Sequence, residues 1–343
     1  MDTLDICDYA AKEGDLDLLK YVHELGYHWS SDTCTYAAKN GHLECLQYAH
    51  ENGCEWNKKT CYAAAKNGHL ECLKYAHENG CVWNKKTCYA AAENGHLECL
   101  IYAHENGCKL GFDTCDLAAK NGHFKCLQYA RKNKCIMVMS CNYAAKNGHL
   151  KCLKYAHKNG SLMGTSACIA AVKNGNFKCL KYALDNGADS YPIRFYDINN
   201  LDINKYQDIC SIAALTGNLQ CLKYAHEKGC HWDNNTCSNA AKNGHLDCLK
   251  YAHEKGCHWD DTTCSNAAKN GQLDCLKYAH ENGCSWNEDV CTFAAWHGYL
   301  DCLKYVYKHD YIFKHLITPS QQKCFKYILR RPYSKNTNIN FDL

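Results

Sequence analysis

The chain of 343 residues is poor in proline and has no long apolar run. Only Pro192, Pro319 and Pro332 are present, so little interrupts helix formation along most of the chain. No stretch of about 18 apolar residues occurs, so we expect no membrane-spanning helix. The acidic N-terminus lacks the basic and then apolar pattern of a signal peptide. The formal net charge of +3 gives the whole chain no polyelectrolyte character.

Close cysteine pairs are also missing, although the chain has 29 cysteines. No C-x2-C motif occurs, and zinc sites favour such pairs. Secreted disulfide scaffolds are normally short and rich in loops, whereas this chain is long and has a helical pattern. We therefore expect reduced thiols in a protein of the cytoplasm or the nucleus that is not secreted.

A glycine in a motif of the type NGH recurs along almost the whole chain. Successive glycines are 27 residues apart, with one step of 26 and one step of 42. The glycines are Gly14, Gly41, Gly68, Gly95, Gly122, Gly148, Gly175, Gly217, Gly244, Gly271 and Gly298. A strict period of this length predicts a solenoid, in which each unit buries its apolar face against its neighbours.

The long step divides the repeats into two blocks. We predict repeats 1–7 over residues 1–187, an insertion over 188–205 and repeats 8–11 over 206–310. The pattern decays after Asp310, so residues 311–332 are interpreted as a C-terminal capping half-repeat and residues 333–343 as a tail.

Each unit contains the pattern of two short helices, as in WNKKTCYAAAKNGHLECLKYAHENG. Asn57 stands at an N-cap position, and Trp56 before it is expected to pack against Cys61. Cys61 and the pair Ala64-Ala65 fall on one helical face, and the glycine at 68 ends this first helix. The second helix follows at once, and no strand pattern is evident.

These residues resemble the ankyrin repeat. The pairs Ala64-Ala65 and Gly68-His69, together with Gly80 and Asn84, match its familiar motif over about residues 5 to 310. From Asn84 to Cys88 is four steps where the ankyrin form has about ten, so the segment of the ankyrin β-hairpin is missing. The resemblance implies an all-α, ankyrin-like α-solenoid of about eleven 27-residue helix–turn–helix repeats. This short, Cys/Tyr-rich type is similar to repeats of giant DNA viruses and protists, which implies a viral protein acting in host–virus interaction.

The cysteines occupy three columns of the repeat, represented by Cys61, Cys72 and Cys81. Leu18 replaces the second, and Tyr27 and Ala188 replace the third. These residues cannot substitute for a zinc thiolate, but they can substitute for a small buried apolar group. We therefore predict that the thiols belong to the core, with no metal and no cofactor. A metal or redox buffer is the less favoured alternative.

The histidines also form columns without a catalytic pattern. The His69 column contains Asp15 and Asn176, which suggests a hydrogen bond or a water contact at the start of the second helix. The His77 column contains Arg131 and Leu184, so a half-exposed position is expected. No nucleophile, base and orienting residue stand apart from the repeat background, so we predict no catalytic residues and no enzymatic activity.

Two columns vary between repeats and are candidates for partner binding. The first, called here the first-helix column, is expected on the exposed face of the first helix, like the positions that line the ankyrin concave face. Ordinary variation of a solvated face is the alternative. Its candidate residues are Thr35, Tyr62, Tyr89, Asp116 and Asn142.

The second candidate column lies on the outer face of the second helix. Acidic residues give way there to Lys125, Lys151 and Lys178, called here the outer lysines. Residues 109–187 carry 13 Lys and Arg against 3 Asp and Glu. Neighbouring repeats stack at about 8–10 Å, which is comparable to the Debye length in cells, so the three lysines are expected to act as one field. A solvated charge block is the alternative.

The sequence thus favours a monomeric, non-enzymatic scaffold or adaptor that binds a host or viral protein through exposed helix faces. The alternative is an anion or nucleic-acid binder that uses the basic patch of repeats 5–7. The identity of the partner is not encoded in any motif.

Overall fold

A computed structural model describes residues 5–57, 59–188, 209–232, 234–286 and 289–309. These residues form 22 helices and no strands. They belong to two compact units, Met1–Met163 and Gly164–Leu343. The predicted insertion at 188–205, apart from Ala188, and the predicted cap and tail lie outside the described residues. None of the described helices is long and apolar enough to span a membrane.

The first unit contains six helical pairs, and in each pair the odd-numbered helix is the first helix of a repeat. The pairs are α1 (Ile6–Glu13) and α2 (Leu16–Glu24), α3 (Thr33–Asn40) and α4 (Leu43–Glu51), α5 (Lys59–Asn67) and α6 (Leu70–Glu78), α7 (Lys85–Asn94) and α8 (Leu97–Glu105), α9 (Phe112–Lys120) and α10 (Phe124–Lys132), and α11 (Ser140–Lys146) and α12 (Leu150–Lys158).

The second unit contains five further pairs. They are α13 (Thr165–Lys173) and α14 (Phe177–Asp185), α15 (Ile209–Leu215) and α16 (Leu219–Glu227), α17 (Asn234–Lys242) and α18 (Leu246–Glu254), α19 (Asp261–Lys269) and α20 (Leu273–Glu281), and α21 (Asp289–Trp296) and α22 (Leu300–His309). Within each unit every first helix packs against the first helix of the next repeat. The fold is an α-solenoid of helical pairs, as the sequence predicts.

The third repeat shows why its residues form two helices. The Asn57 side chain accepts a hydrogen bond from the backbone N–H of Lys59 at 3.0 Å and so caps α5. Cys61, Ala64 and Ala65 are buried on one side of that helix. Gly68 ends the helix at φ 81°, in the left-handed region where a side chain is strained. The short turn then brings α6 back against α5.

The core role predicted for the cysteines is confirmed. All 28 cysteines within the described residues are buried and free. The Cys61 thiol donates to the Cys81 carbonyl at 3.6 Å, and the Cys81 thiol donates to the Asn57 carbonyl at 3.7 Å. Each of these thiols therefore fills space between helices and also binds a backbone carbonyl of the loop.

A histidine at the start of each of several second helices joins that repeat to the one before it. His42 forms a hydrogen bond from Nε2 to the Lys12 carbonyl at 3.2 Å, which agrees with the hydrogen bond expected for this column. Histidines of this column also cover the glycine of the preceding repeat. A Cβ added to Gly41, for example, would lie 2.5 Å from Nδ1 of His69. Glycine is therefore favoured at position 41 for two reasons: the backbone has a positive φ, and the His69 ring leaves no space for a side chain.

Tryptophan, histidine and tyrosine form a second joint between repeats. The Trp56 ring stacks on His50 with centroids 4.0 Å apart, and its Nε1–H donates to the Asn79 carbonyl of the next repeat at 2.8 Å. Tyr75 of that next repeat meets both rings edge-on. The structure thus gives Trp56 three polar or aromatic partners, and its packing on Cys61 stays a prediction.

Candidate interaction surface

The first-helix column is less exposed than the sequence predicts, because it faces the next repeat. The Thr35 hydroxyl lies 3.1 Å from that of Thr60, one repeat further on. Ser211 makes the same contact with Thr236 at 2.9 Å in the second unit. Asn142 is also half-buried. The expectation of a freely exposed column is therefore wrong, and its role in partner binding stays a prediction.

Asp116 departs furthest from that expectation, with 6% of its surface exposed. Its carboxylate accepts hydrogen bonds from the Met139 backbone N–H at 3.1 Å and from the Ser140 hydroxyl. Burial raises the pKa of this carboxyl above its usual range, and the two hydrogen bonds oppose that rise. Asp116 therefore caps the start of α11 from the neighbouring repeat, which gives its carboxylate a structural task.

Tyr62 and Tyr89 are half-buried. The Tyr89 hydroxyl occupies the place that a side chain at residue 111 would take, so a larger residue at Gly111 would displace this hydroxyl. Lys66 lies 6.0 Å from the centre of the Tyr62 ring. Each tyrosine is thus only partly available to a partner.

The outer lysines lie on second helices, as predicted, and all three are exposed. Lys125 is on α10 and Lys151 is on α12, both in the first unit, and Lys178 is on α14 in the second unit. Their action as one field stays a prediction.

Two buried thiols of the second helices are poorly suited to metal binding or nucleophilic attack. Burial raises the pKa of Cys72 and of Cys126 to about 11, so both are protonated at neutral pH. In the part of the chain that the structure describes, no three His, Cys, Asp or Glu side chains come together as a metal would need.

Two surface features of repeats 4–6 were missed by the sequence analysis. The first, called here the apolar edge, is a set of exposed apolar side chains at the short loops between repeats. It comprises Phe112, Ile136, Val138, Met139 and Leu162. The signal was present, because Leu110, Met137 and Met163 replace the tryptophan of other repeats in these loops.

The second missed feature, called here the cationic hollow, is a surface cavity of about 570 Å³. It is lined by Gln128, Arg131, Lys132, Lys134, Tyr155 and Asn159. The sequence signal was the segment ARKNKC, which replaces the AHENGC of other repeats.

Family models for ankyrin repeats match much of this chain. A model for many copies of the repeat matches residues 7–50, 34–77, 61–104 and 141–184, and a model for three copies matches residues 237–318. The chain belongs to the ankyrin-repeat family. Ankyrin repeats are generally modules for protein–protein interaction, and proteins of the family are typically non-enzymatic scaffolds.

One solved structure of similar fold is the human ASB11 ankyrin repeat domain, which is 19% identical in sequence. The alignment covers 56% of this chain and 96% of that domain, with a TM-score of 0.43. No curated protein sequence matches the chain.

Proposed function

We propose that this ankyrin-repeat protein is a non-enzymatic scaffold that holds a partner protein on its helix faces and short loops. The observation that carries this proposal is the contrast between a repeated framework and varied exposed residues. The buried Cys, Ala and Leu positions recur in nearly every repeat, whereas the exposed loop and second-helix positions change in size and charge. Because the usual hairpins are absent, these positions are the surface left for recognition.

The test combines capture with mapping. The full chain is used as bait in a lysate of its native cell, and hydrogen exchange is then measured on the purified complex. We expect slower exchange at a contiguous set of positions that includes the apolar edge, the helices of Tyr62 and Tyr89, or the outer lysines. Protection confined to the termini, or no stable partner at all, would refute the scaffold proposal.

The partner is proposed to be a host or viral protein, with the chain acting as a monomer in a reducing compartment, the cytoplasm or the nucleus. The support is the set of buried thiols without disulfide partners in the described residues, which suits such a compartment. A viral or protist origin is supported by the Cys/Tyr-rich form of the repeat.

A second candidate function is binding of an anion or a nucleic acid by repeats 5–7. It is favoured by the exposure of Lys125, Lys151 and Lys178 on successive second helices. Replacing all three by Glu should abolish retention on heparin, and wild-type binding should weaken steeply with salt. Binding that is unaffected by salt would exclude this candidate.

A further inference from the structure

The cationic hollow is formed where repeat 5 departs from the pattern of its neighbours. At the end of α10, Arg131, Lys132 and Lys134 stand where repeat 4 has His104, Glu105 and Gly107. Nine repeats have a glycine at the position of Lys134, all with positive φ. Lys134 keeps that conformation at φ 66°, the only residue other than glycine to do so in the described residues. A residue with a side chain is strained in this conformation, so the positive charge of Lys134 is present although the backbone at this position favours glycine.

In other repeats, the histidine and the glutamate that Arg131 and Lys132 replace each contact a tyrosine hydroxyl of the next repeat. The Tyr102 hydroxyl donates to a carboxylate oxygen of Glu78 at 3.2 Å. The Tyr129 hydroxyl lies 2.9 Å from Nδ1 of His104. The equivalent tyrosine beside repeat 5 is Tyr155, which lines the hollow together with Arg131 and Lys132. A carboxylate that Glu78 of repeat 3 supplies to Tyr102 is therefore replaced beside Tyr155 by cations.

Arg131 is held in place by the backbone on both sides of the hollow. Its guanidinium donates to the Cys135 carbonyl at 3.5 Å and to the Asn159 carbonyl at 3.3 Å. The second of these contacts takes over the role of Trp56, which donates to the equivalent Asn79 carbonyl three repeats earlier. A guanidinium has five N–H groups, so a fixed Arg131 keeps further donors for a carboxylate in the hollow.

The apolar edge adjoins this hollow. Ile136 follows Lys134 by two residues and is 65% exposed, and Leu162 of the next loop is 86% exposed. The loops are tied together: the Cys135 thiol donates to the Gly111 carbonyl at 3.1 Å, and the Cys141 N–H donates to the Ser161 hydroxyl at 3.3 Å. Ile136 and Leu162 therefore lie within three residues of Lys134 and Asn159, which line the hollow, and exposed apolar patches commonly mark interaction sites.

The charge around these loops has one sign. Residues 109–163 contain ten Lys and Arg against two acidic residues, Asp113 and the buried Asp116. An acidic partner would therefore be attracted to this segment, and an acidic group entering the hollow would replace the missing glutamate.

We propose that the cationic hollow and the apolar edge of repeats 4–6 bind a peptide segment that carries acidic and bulky apolar side chains. A carboxylate of the peptide lies between Arg131, Lys132 and the Tyr155 hydroxyl, and neighbouring apolar side chains cover Ile136 and Leu162. The proposal rests on the scaffold function and names the chemistry of the partner. A peptide fits better than a nucleic acid because the apolar edge offers contact area that a phosphate backbone cannot use.

The test is a selection of random twelve-residue peptides displayed on phage, made in parallel on the wild-type chain and on a triple variant. The variant Arg131→His, Lys132→Glu, Lys134→Gly gives repeat 5 the residues of repeat 4 at these positions, so it should fold. Circular dichroism and thermal unfolding verify this. Peptides enriched on the wild type are then synthesised with a fluorescent label and titrated by anisotropy.

We expect the enriched peptides to combine Asp or Glu with Leu, Ile or Phe. Their affinity should fall about tenfold or more in the triple variant, because charge-assisted hydrogen bonds are lost. The variant Ile136→Ser, Leu162→Ser should also weaken binding by about tenfold through lost apolar burial. The control Lys242→Glu, Lys269→Glu lowers the net charge by the same four units, at exposed positions in the second unit. It should change the affinity by less than about twofold.

Several results would overturn the proposal. They are enriched peptides without acidic residues, equal affinity for the triple variant, full displacement of the peptide by a single-stranded oligonucleotide, or no enrichment at all. The scaffold function would survive each of these, provided that the captured native partner still protects another surface from exchange. It fails separately if no partner is captured.

Discussion

Replacing Gly41 by alanine should destabilise the chain more than the same change at Gly53, although both have positive φ. Gly41 has φ 83° and Gly53 has φ 89°, so each substitution carries a conformational cost of about 1 kcal/mol. At Gly53 a new Cβ meets nothing within 4 Å. At Gly41 it would lie 2.5 Å from Nδ1 of His69, so the imidazole must move away.

The additional cost at Gly41 follows from what His69 then loses. The ring forms a hydrogen bond with the Lys39 backbone, and such a bond contributes about 1 kcal/mol. Lost packing of the ring adds about 1 kcal/mol. We therefore expect about 3 kcal/mol for Gly41→Ala and about 1 kcal/mol for Gly53→Ala.

Native-state hydrogen exchange read by mass spectrometry is the suitable assay, because stability in a repeat array is local. Amides around residues 37–48 should exchange about 30-fold faster in Gly41→Ala than equivalent amides in Gly53→Ala, which corresponds to about 2 kcal/mol. In a His69→Ala background the Gly41 substitution should cost only the conformational part. Equal effects of the two glycine substitutions, or an unchanged cost after removal of the imidazole, would refute the reasoning.

Three further predictions follow from the same contacts. Burial lowers the pKa of His69 and of His123. The stability that these histidines contribute is therefore present above the unfolded pKa of about 6.5 and is lost as the pH falls through the folded pKa. The unfolding temperature should be lower at pH 5 than at pH 7, and this difference should be smaller in the variant with both histidines replaced by alanine. Trp56→Phe keeps an aromatic ring but removes the hydrogen bond to the Asn79 carbonyl, so it should cost about 1 kcal/mol in urea unfolding, and no measurable change would contradict this role. The Cys72 thiol should react with a thiol-specific reagent only after unfolding, because burial raises its pKa to about 11, and rapid reaction of the native chain would show that it is accessible.

The framework could be predicted from the sequence because it depends on contacts inside one repeat. Cys61 and Ala64 lie one helical turn apart, so their shared face is visible in the spacing alone. Gly68 predicts the end of a helix, because glycine readily adopts the left-handed conformation found there. The same spacing occurs in every repeat, which makes the period unmistakable.

The contacts between repeats could not be predicted in the same way. Thr35 meets Thr60 and Asp116 meets Ser140, pairs that are 25 and 24 residues apart. A helical pattern shows which face is apolar, but it does not show that a polar face is covered by the next repeat. The candidate surface was missed for a related reason. The sequence shows Arg131 only as a substitution in a half-exposed column, and it does not show that Arg131 and Tyr155 line the same cavity.

The contact between a glycine and the histidine of the following unit has a consequence for how such arrays change in length. Many repeats place a glycine at one side and a histidine that covers the preceding glycine at the other, so a duplicated repeat of 27 residues finds a fitting partner both before and after it. Whole units can then be gained or lost without redesign of the joints, and a unit with a new loop, like the fifth, can be carried along by its standard neighbours.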